Sequence, residues 1–274
     1  MKFLKTKIHS RKFIKFGINK QKHWIDSCYF VRCSHKVVSC QLKGGTHRCS
    51  QKDMDLKSIV GKAATVCTIA VFLAGTEICR KIWHKKSTCD ISALPFLCGL
   101  MSCSIWLRYG LLINDSALIV VNATGSTLQI LYLMWYAKFN TSKGSYYKQL
   151  AIAISIIGFL YYYTTYYAEG EEARYVAGIA ACTAGVLFMG SPLSAMAHVL
   201  KTKNVDTLPF PMILSTFIMA TLWLCYGVLT NDLFVQVPNF LGALLALSQL
   251  FLFAIYSNKK PYYELGMTTS KAII

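Results

Sequence analysis

Charge is what this chain has least of. Only 15% of its 274 residues are Asp, Glu, Lys or Arg, against roughly 25% in an ordinary soluble domain. Its apolar runs hold no paired carboxylates at mid-length, and the one histidine inside a run, His198, sits at the run's end. An intramembrane enzyme needs a Ser/His, paired Asp or His/Glu constellation, and a proton relay needs buried Asp, Glu or His. Both are excluded by what is missing, so the chain is read as a non-enzyme. No CxxC pair joins Cys28, Cys33, Cys40 and Cys49, which stand with His35 and His47. These are read as loose thiols rather than a zinc site, and neither a metal nor another cofactor is expected. Cys67, Cys98, Cys103, Cys182 and Cys225 lie in apolar runs, where they serve as small hydrophobes rather than a disulfide framework.

The charge that exists is unevenly placed. Residues 1–53 hold 13 Lys/Arg against Asp26 and Asp53, and the remaining 16 face 10 acids. The net charge of +17 therefore belongs mostly to the first 53 residues, and a nucleic-acid partner is not implied. This segment lacks a sustained period and the continuous apolar core of a secretory signal. Lysine prevails over Arg11, Arg32 and Arg48, against a mitochondrial transit segment. It is expected to be a disordered basic extension, or a stretch absent from the working protein, since Met54 opens the part that follows.

Seven apolar runs follow, approximately 59–82, 91–112, 116–137, 149–168, 174–199, 207–229 and 233–256. About 20 apolar residues cross a bilayer core, so the chain is expected to be an all-α membrane protein with seven transmembrane helices. The corners after runs one, three and five carry Lys81, Lys85, Lys86, then Lys138, Lys143, Lys148, then Lys201, Lys203. The other corners carry Asn114-Asp115, then Glu169, Glu171 and Glu172 with Arg174, then Asn231-Asp232. The positive-inside rule then puts the N-terminus outside and the C-terminus in the cytoplasm. Glu77 and Arg80, one turn apart in the last turns of run one, are expected to pair locally.

The chain also repeats itself. Trp106, Tyr109, Gly110, Asn114, Asp115, Asn122 and Gly125 recur, 117 positions on, as Trp223, Tyr226, Gly227, Asn231, Asp232, Asn239 and Gly242. That offset pairs runs one to three with runs five to seven and leaves run four alone. Three crossings invert a chain, and one more restores it, so the two copies run parallel in a 3+1+3 plan. The expected division is extension 1–53, first triple-helix bundle 54–143, linker helix 144–172, second bundle 173–257 and cytoplasmic tail 258–274.

The ordered motifs resemble the SWEET (MtN3/saliva) sugar transporter family over nearly all of residues 54–260. They are LPF at 94–96, W-L-x-Y-G at 106–110, the Asn-Asp corner and V-N-x-x-G at 121–125, then S-P-L at 191–193, LPF at 208–210 and P-N at 238–239. The resemblance implies a facilitative, bidirectional uniporter in which two triple-helix bundles enclose a central sugar site. It implies a pocket lined by Trp106 with Asn122 and by Trp223 with Asn239. Chemistry agrees, because sugar hydroxyls want amide partners and sugar C–H faces want an aromatic plate. The structural alternative is that the tryptophans are interfacial anchors and the asparagines interhelix glue. Ser102, one turn before Trp106, and its counterpart Met219 are expected to narrow the pocket. No Pro-Gln dipeptide occurs, which speaks against the related PQ-loop exporters.

Pro95 and Pro209 stand near the starts of runs two and six, where an N1 proline costs little. Pro192 lies within run five and is the better hinge. The resemblance implies four hinge positions, and the match to Pro192 in run one is Gly75. An outer gate is expected from the repeat itself. Tyr109 and Tyr226 lie one turn beyond the tryptophans, and Asp232 and Asp115 open the next helices. Tyr109 is expected to meet Asp232, and Tyr226 to meet Asp115; the alternative is that each Asp caps its own helix. The sequons at Asn122 and Asn140 are set aside as intramembrane and cytoplasmic. The implied partners are a small neutral sugar, mono- or disaccharide, and membrane lipid; a homo-oligomer stays open. The expected location is the plasma membrane, with an endomembrane such as the Golgi as the alternative. The competing readings are a transporter of another small neutral solute and a seven-helix receptor, which the internal repeat and short loops disfavour.

Overall fold

A peptide group inside hydrocarbon has no water to bond, so each apolar run must close its hydrogen bonds within itself. The computed structural model describes residues 29–30, 39–42, 45–48, 51–89, 91–205 and 208–256. It divides into two units, Met1–Met54 and Asp55–Ile274. The first contains three short antiparallel strands, β1 (Tyr29–Phe30), β2 (Ser39–Leu42) and β3 (Gly45–Arg48), in the order β1-β2-β3. Ser39 pairs with Arg48 and Leu42 with Gly45. Apart from these strands and the first turn of α1, the expectation for residues 1–53 lies outside the described residues. So do the cysteine and histidine side chains of that stretch and the tail 258–274.

The described part of the second unit consists of helices and the short corners between them. Its helices are α1 (Gln51–Leu73), α2 (Gly75–Lys85), α3 (Leu94–Ile113), α4 (Ser116–Phe139) and α5 (Lys143–Tyr166). The second copy supplies α6 (Gly170–Leu187), α7 (Gly190–Thr202), α8 (Phe210–Thr230) and α9 (Leu233–Tyr256). With α1–α2 and α6–α7 each taken as one broken rod, six helices among the described residues are long and apolar enough to cross a membrane. The seventh, α5, is 24 residues long, the same as α4, and its row of tyrosines lowers its hydropathy. The chain is an integral membrane protein.

The repeat is written into the backbone. Among the described residues, positive φ at a non-glycine occurs at Lys86 (51°), Asn114 (56°), Lys203 (56°) and Asn231 (54°), two pairs at the 117-residue offset. Asparagine tolerates this left-handed conformation better than most residues, because its short amide can bond locally. At each corner Asn ends one helix there, and the following Asp starts the next. Asp115 Oδ1 accepts from Ala117 N at 3.0 Å and Leu118 N at 3.1 Å; Asp232 Oδ1 accepts from Phe234 N at 2.9 Å and Val235 N at 3.3 Å. Two residues thus reverse the chain, and their types are the ones the geometry requires.

The first helix of each bundle breaks midway. Pro192 has no N–H and its ring clashes with the carbonyl four residues back, so Phe188 and Met189 leave the helix between α6 and α7. In the first copy the break is at Ala74, just ahead of Gly75. Equivalent positions of the third helices bind backbone carbonyls beside the two breaks. Tyr132 OH donates to Phe72 O at 3.1 Å, and Gln249 Nε2, 117 residues on, donates to Pro192 O at 3.1 Å. Pro95 and Pro209, by contrast, sit at the starts of α3 and α8 and interrupt no helix.

Packing joins the copies at one end. A single buried cluster at the Asn-Asp end includes Ile105, Tyr109 and Val121 from the first bundle with Ala181, Trp223 and Val235 from the second. At the basic end the bundles have separate clusters, one around Ile82, Leu97 and Leu133 and one around Val199, Ile213 and Leu252. The linker helix α5 rides on the first bundle. Arg108 of α3 donates from Nε to Thr164 Oγ1 at 2.8 Å and from Nη2 to Thr164 O and Thr165 Oγ1, both at 2.9 Å. Tyr161 OH returns a bond to Ser104 O at 3.0 Å. Arg80 Nη2 and Glu77 Oε2 pair at 2.9 Å, the local contact their spacing predicts.

Candidate functional site

Between the two bundles lies a cavity of about 490 Å³. Trp106, Asn122, Trp223, Asn239, Ser102 and Met219 all line it, so the six residues singled out by repeat and motif come together in space. They reach it from equivalent places. The tryptophans lie on α3 and α8 two turns before the Asn-Asp corner, and the asparagines on α4 and α9 two turns after it. Each tryptophan meets a tyrosine edge-on, Trp106 with Tyr109 at 6.0 Å between centroids and Trp223 with Tyr226 at 5.5 Å.

Each asparagine commits one amide hydrogen to its own helix. Asn122 Nδ2 donates to Leu118 O at 2.9 Å, and Asn239 Nδ2 to Val235 O at 2.7 Å. Among the described residues neither amide bonds a neighbouring helix, which is not the pattern of interhelix glue. Each Oδ1 is without a donor among the described residues, which leaves an acceptor and one N–H for a ligand. The tryptophans are not membrane-interface anchors either: Trp223 is buried at 6% exposure, and Trp106 is half-buried against the cavity. Trp223 is fixed further, its Nε1 donating to Thr68 Oγ1 at 2.9 Å, while Thr68 donates to Ala64 O at 2.7 Å.

No residue lining the cavity carries a charge. The walls are apolar or aromatic, with a few hydroxyl and amide groups among them, the usual make-up of a small-molecule pocket. Pro95 and Pro192 also line it, whereas Gly75 and Pro209 do not. Sequence reasoning did not single out Thr68 or Gln249, which also line the wall, and took Pro238 only as part of the P-N motif. For Gln249 a signal existed: it stands at the 117-residue offset from Tyr132.

At the Asn-Asp end two hydrogen bonds cross between the bundles. Tyr109 OH donates to Asp232 Oδ2 at 2.8 Å, and Tyr226 OH donates to Asp115 Oδ2 at 2.6 Å. Capping and crossing had been alternatives for these aspartates. Each does both, one oxygen holding its own helix start and the other accepting the phenol. Lys57 Nζ lies 4.0 Å from Asp115 Oδ2 and 5.7 Å from the centre of the Tyr226 ring, adding a cation to one of the two pairs. Asn140, the other sequon, is buried and accepts from Thr88 Oγ1 at 3.3 Å and Ser142 N at 3.2 Å.

Comparison with known proteins decides the family. The model for the MtN3/saliva family, described as sugar efflux transporters for intercellular exchange, matches residues 58–144 and again 175–261. This chain belongs to the SWEET family. The SWEET match thus falls once on each copy of the repeat and skips α5 between them. A sugar transporter SWEET1 of Drosophila pseudoobscura pseudoobscura is 40% identical over 72% of this chain and 88% of its own length. A SWEET1 of Xenopus tropicalis is 30% identical over 77% of this chain and all of its own length. The bidirectional sugar transporter N3 of Medicago truncatula is 32% identical over 72% of this chain and 75% of its own. The solved structure of a eukaryotic SWEET transporter superposes with a TM-score of 0.71 at 27% identity, over 77% of this chain and 100% of that one.

Proposed function

We propose that this chain is a facilitative, bidirectional sugar uniporter that works by alternating access at the cavity between its bundles. The observation that carries the reading is the convergence of two Trp–Asn pairs, one from each copy, on one uncharged cavity. A pyranose lies with a C–H face on an indole, and its hydroxyls exchange hydrogen bonds with the open Oδ1 and N–H of Asn122 and Asn239. Ser102 and Met219 narrow the same layer from opposite bundles. The relatives' names, sugar transporter and bidirectional sugar transporter, support the substrate class.

The crossed Tyr–Asp bonds form the outer gate. By the positive-inside rule the Asn-Asp end faces outward, so this conformation has its outer side closed. Opening it exchanges those bonds for hydration and lets the bundles rock about Gly75 and Pro192, where their first helices are already broken; Pro95 and Pro209 allow the second helices to follow at their starts. A cavity without charge takes a neutral solute down its gradient, which supports a uniporter over an ion-coupled carrier. It also disfavours a zwitterionic cargo, whose charges would be left unpaired. The transporting unit is residues 54–257, at the plasma membrane with the N-terminus outside.

The test is uptake of radiolabelled glucose and sucrose by a transport-null cell expressing the chain. Saturable uptake that survives collapse of the proton gradient is expected. Absence of uptake for both sugars by surface-expressed protein would overturn the reading.

A further inference from the structure

At the basic end the two copies part company. In the first bundle, Trp83 of α2 and Trp135 of α4 lie 5.5 Å apart between centroids, and Phe139 lies 6.0 Å from Trp83 and 5.6 Å from Trp135. Trp135 Nε1 donates to Cys79 O at 3.2 Å, and Lys86 Nζ stands 3.1 Å above the Trp83 ring. The seam between α2 and α4 is filled with indole and closed by a cation. One repeat later, 117 positions on, Leu200, Leu252 and Tyr256 stand where Trp83, Trp135 and Phe139 stood. The seam between α7 and α9 is left open as a groove of about 600 Å³.

The groove is lined mainly by Met196, Leu200, Leu247, Phe251, Leu252 and Ile255. Leu247 and Phe251 are exposed, at 51% and 64%, so the groove opens sideways from helices that span the bilayer. An apolar groove offers water too few polar partners to hold it. Empty, it forfeits the dispersion contacts that filling supplies. What lies beside it is acyl chain. At its basic end stands Lys203, the counterpart of Lys86. Its ammonium donates to Tyr256 OH at 3.0 Å, which leaves two N–H donors. Lys201 lies in the last turn of α7, exposed and of the same charge.

We propose that the α7–α9 groove binds one anionic phospholipid, its acyl chain replacing the missing indoles and its phosphate meeting Lys203. The first bundle is the internal control. There the same positions fill their own seam, and Lys86 sits 3.1 Å above the Trp83 ring, whereas Lys203 lies 5.1 Å from the Tyr256 ring centre, at its hydroxyl end. Basic residues beside a negatively charged leaflet are attracted to it, and the groove gives that attraction a fixed address. The lipid braces the lower half of the broken helix against its neighbour, the contact that Trp83 and Trp135 provide in the first copy.

The experiment titrates purified full chain in micelles with phosphatidylglycerol or phosphatidylcholine, counting bound lipid by native mass spectrometry and following Tm. Wild type should retain one phosphatidylglycerol per chain and gain Tm from it, with little gain from phosphatidylcholine. Leu200→Trp/Leu252→Trp, which copies the first bundle, should lose both while its Tm in phosphatidylcholine stays at or above that of wild type. Lys203→Gln should weaken retention about fivefold. The reverse change, Trp83→Leu/Trp135→Leu, should create a second bound lipid, a gain that misfolding cannot imitate. Equal retention of the two lipids, no retained lipid, or undiminished retention by the filled variant would each overturn the proposal. The last two are the results expected if residues 257–274 or a second copy cover the groove.

Discussion

Tyr109 of one bundle and Asp232 of the other are joined by a 2.8 Å hydrogen bond, and Tyr226 and Asp115 repeat it in reverse at 2.6 Å. A charge-assisted bond of this kind contributes about 1.5–3 kcal/mol. Two of them bias a conformational equilibrium without locking it. Tyr109→Phe/Tyr226→Phe keeps both rings and removes both donors, so the closed state loses population. A cysteine placed at Ser102 in a background lacking native cysteines should then react faster with an impermeant thiol reagent applied from the Asn-Asp side. An unchanged rate would mean that these bonds do not hold the gate.

Of the two glycine pairs in the repeat, Gly125 and Gly242 make unequal demands. A Cβ on Gly125 would lie 2.5 Å from Phe72 Cε2 and 2.7 Å from Cys103 Sγ, whereas one on Gly242 meets nothing closer than 3.7 Å. Overpacking of the first kind costs about 1–3 kcal/mol. Gly125→Ala should therefore lower Tm by several degrees and Gly242→Ala should leave it nearly unchanged. Equal Tm values for the two variants would contradict the packing described here.

Arg108 fastens the linker helix through three hydrogen bonds to Thr164 and Thr165. The second copy carries Cys225 at the same place and has no linker helix to hold. Arg108→Cys leaves the Thr164 carbonyl region without its donor and should destabilise the protein by about 1.5–3 kcal/mol. Hydrogen exchange should rise over residues 143–166 more than over α8 and α9. A uniform rise across the molecule would speak against so local a role.

Trp223→Phe keeps an aromatic face in the cavity but loses the 2.9 Å bond to Thr68. A buried hydrogen bond contributes about 1 kcal/mol. Partial uptake with a modestly lowered Tm is expected, and Thr68→Val should lower Tm by a similar amount. Thr68→Val also gives up its own bond to Ala64 O, and the two changes should be less than additive by about 1 kcal/mol, since the Trp223–Thr68 bond is lost in all three variants.

Much of this architecture was legible because the chain states it twice. The offset that pairs Trp106 with Trp223 and Asn122 with Asn239 also fixes the corners, and the corners set the register in which Tyr109 reaches Asp232. Local pattern alone could carry the argument there, since one turn of helix separates each residue from the next. It could not reach contacts that belong to one copy only. Arg108 has no partner at any helical spacing; its threonines lie 56 and 57 residues away on a helix outside the repeat. The bond from Trp223 to Thr68 spans 155 residues and joins different bundles. The helix breaks were approximated by Gly75 and Pro192, but the residues that leave the helix, Ala74 and Phe188–Met189, precede them. For Phe188–Met189 that follows from proline's clash falling one turn upstream of its own position. The groove between α7 and α9 was invisible for another reason: it is defined by side chains that are smaller than their counterparts, and an apolar pattern does not register size.

The central claim is that Asn122 and Asn239, one from each bundle, hold the sugar. The most direct measurement is exchange of radiolabelled glucose and sucrose across proteoliposomes containing wild type, Asn122→Ala or Asn239→Ala. Neither amide supports a neighbouring helix, so the variants should fold, insert and keep a Tm close to that of wild type. Losing one buried partner of a sugar hydroxyl costs about 1–3 kcal/mol, and either substitution alone should lower exchange of the transported sugar by tenfold or more. Exchange at the wild-type rate by both variants would contradict the site.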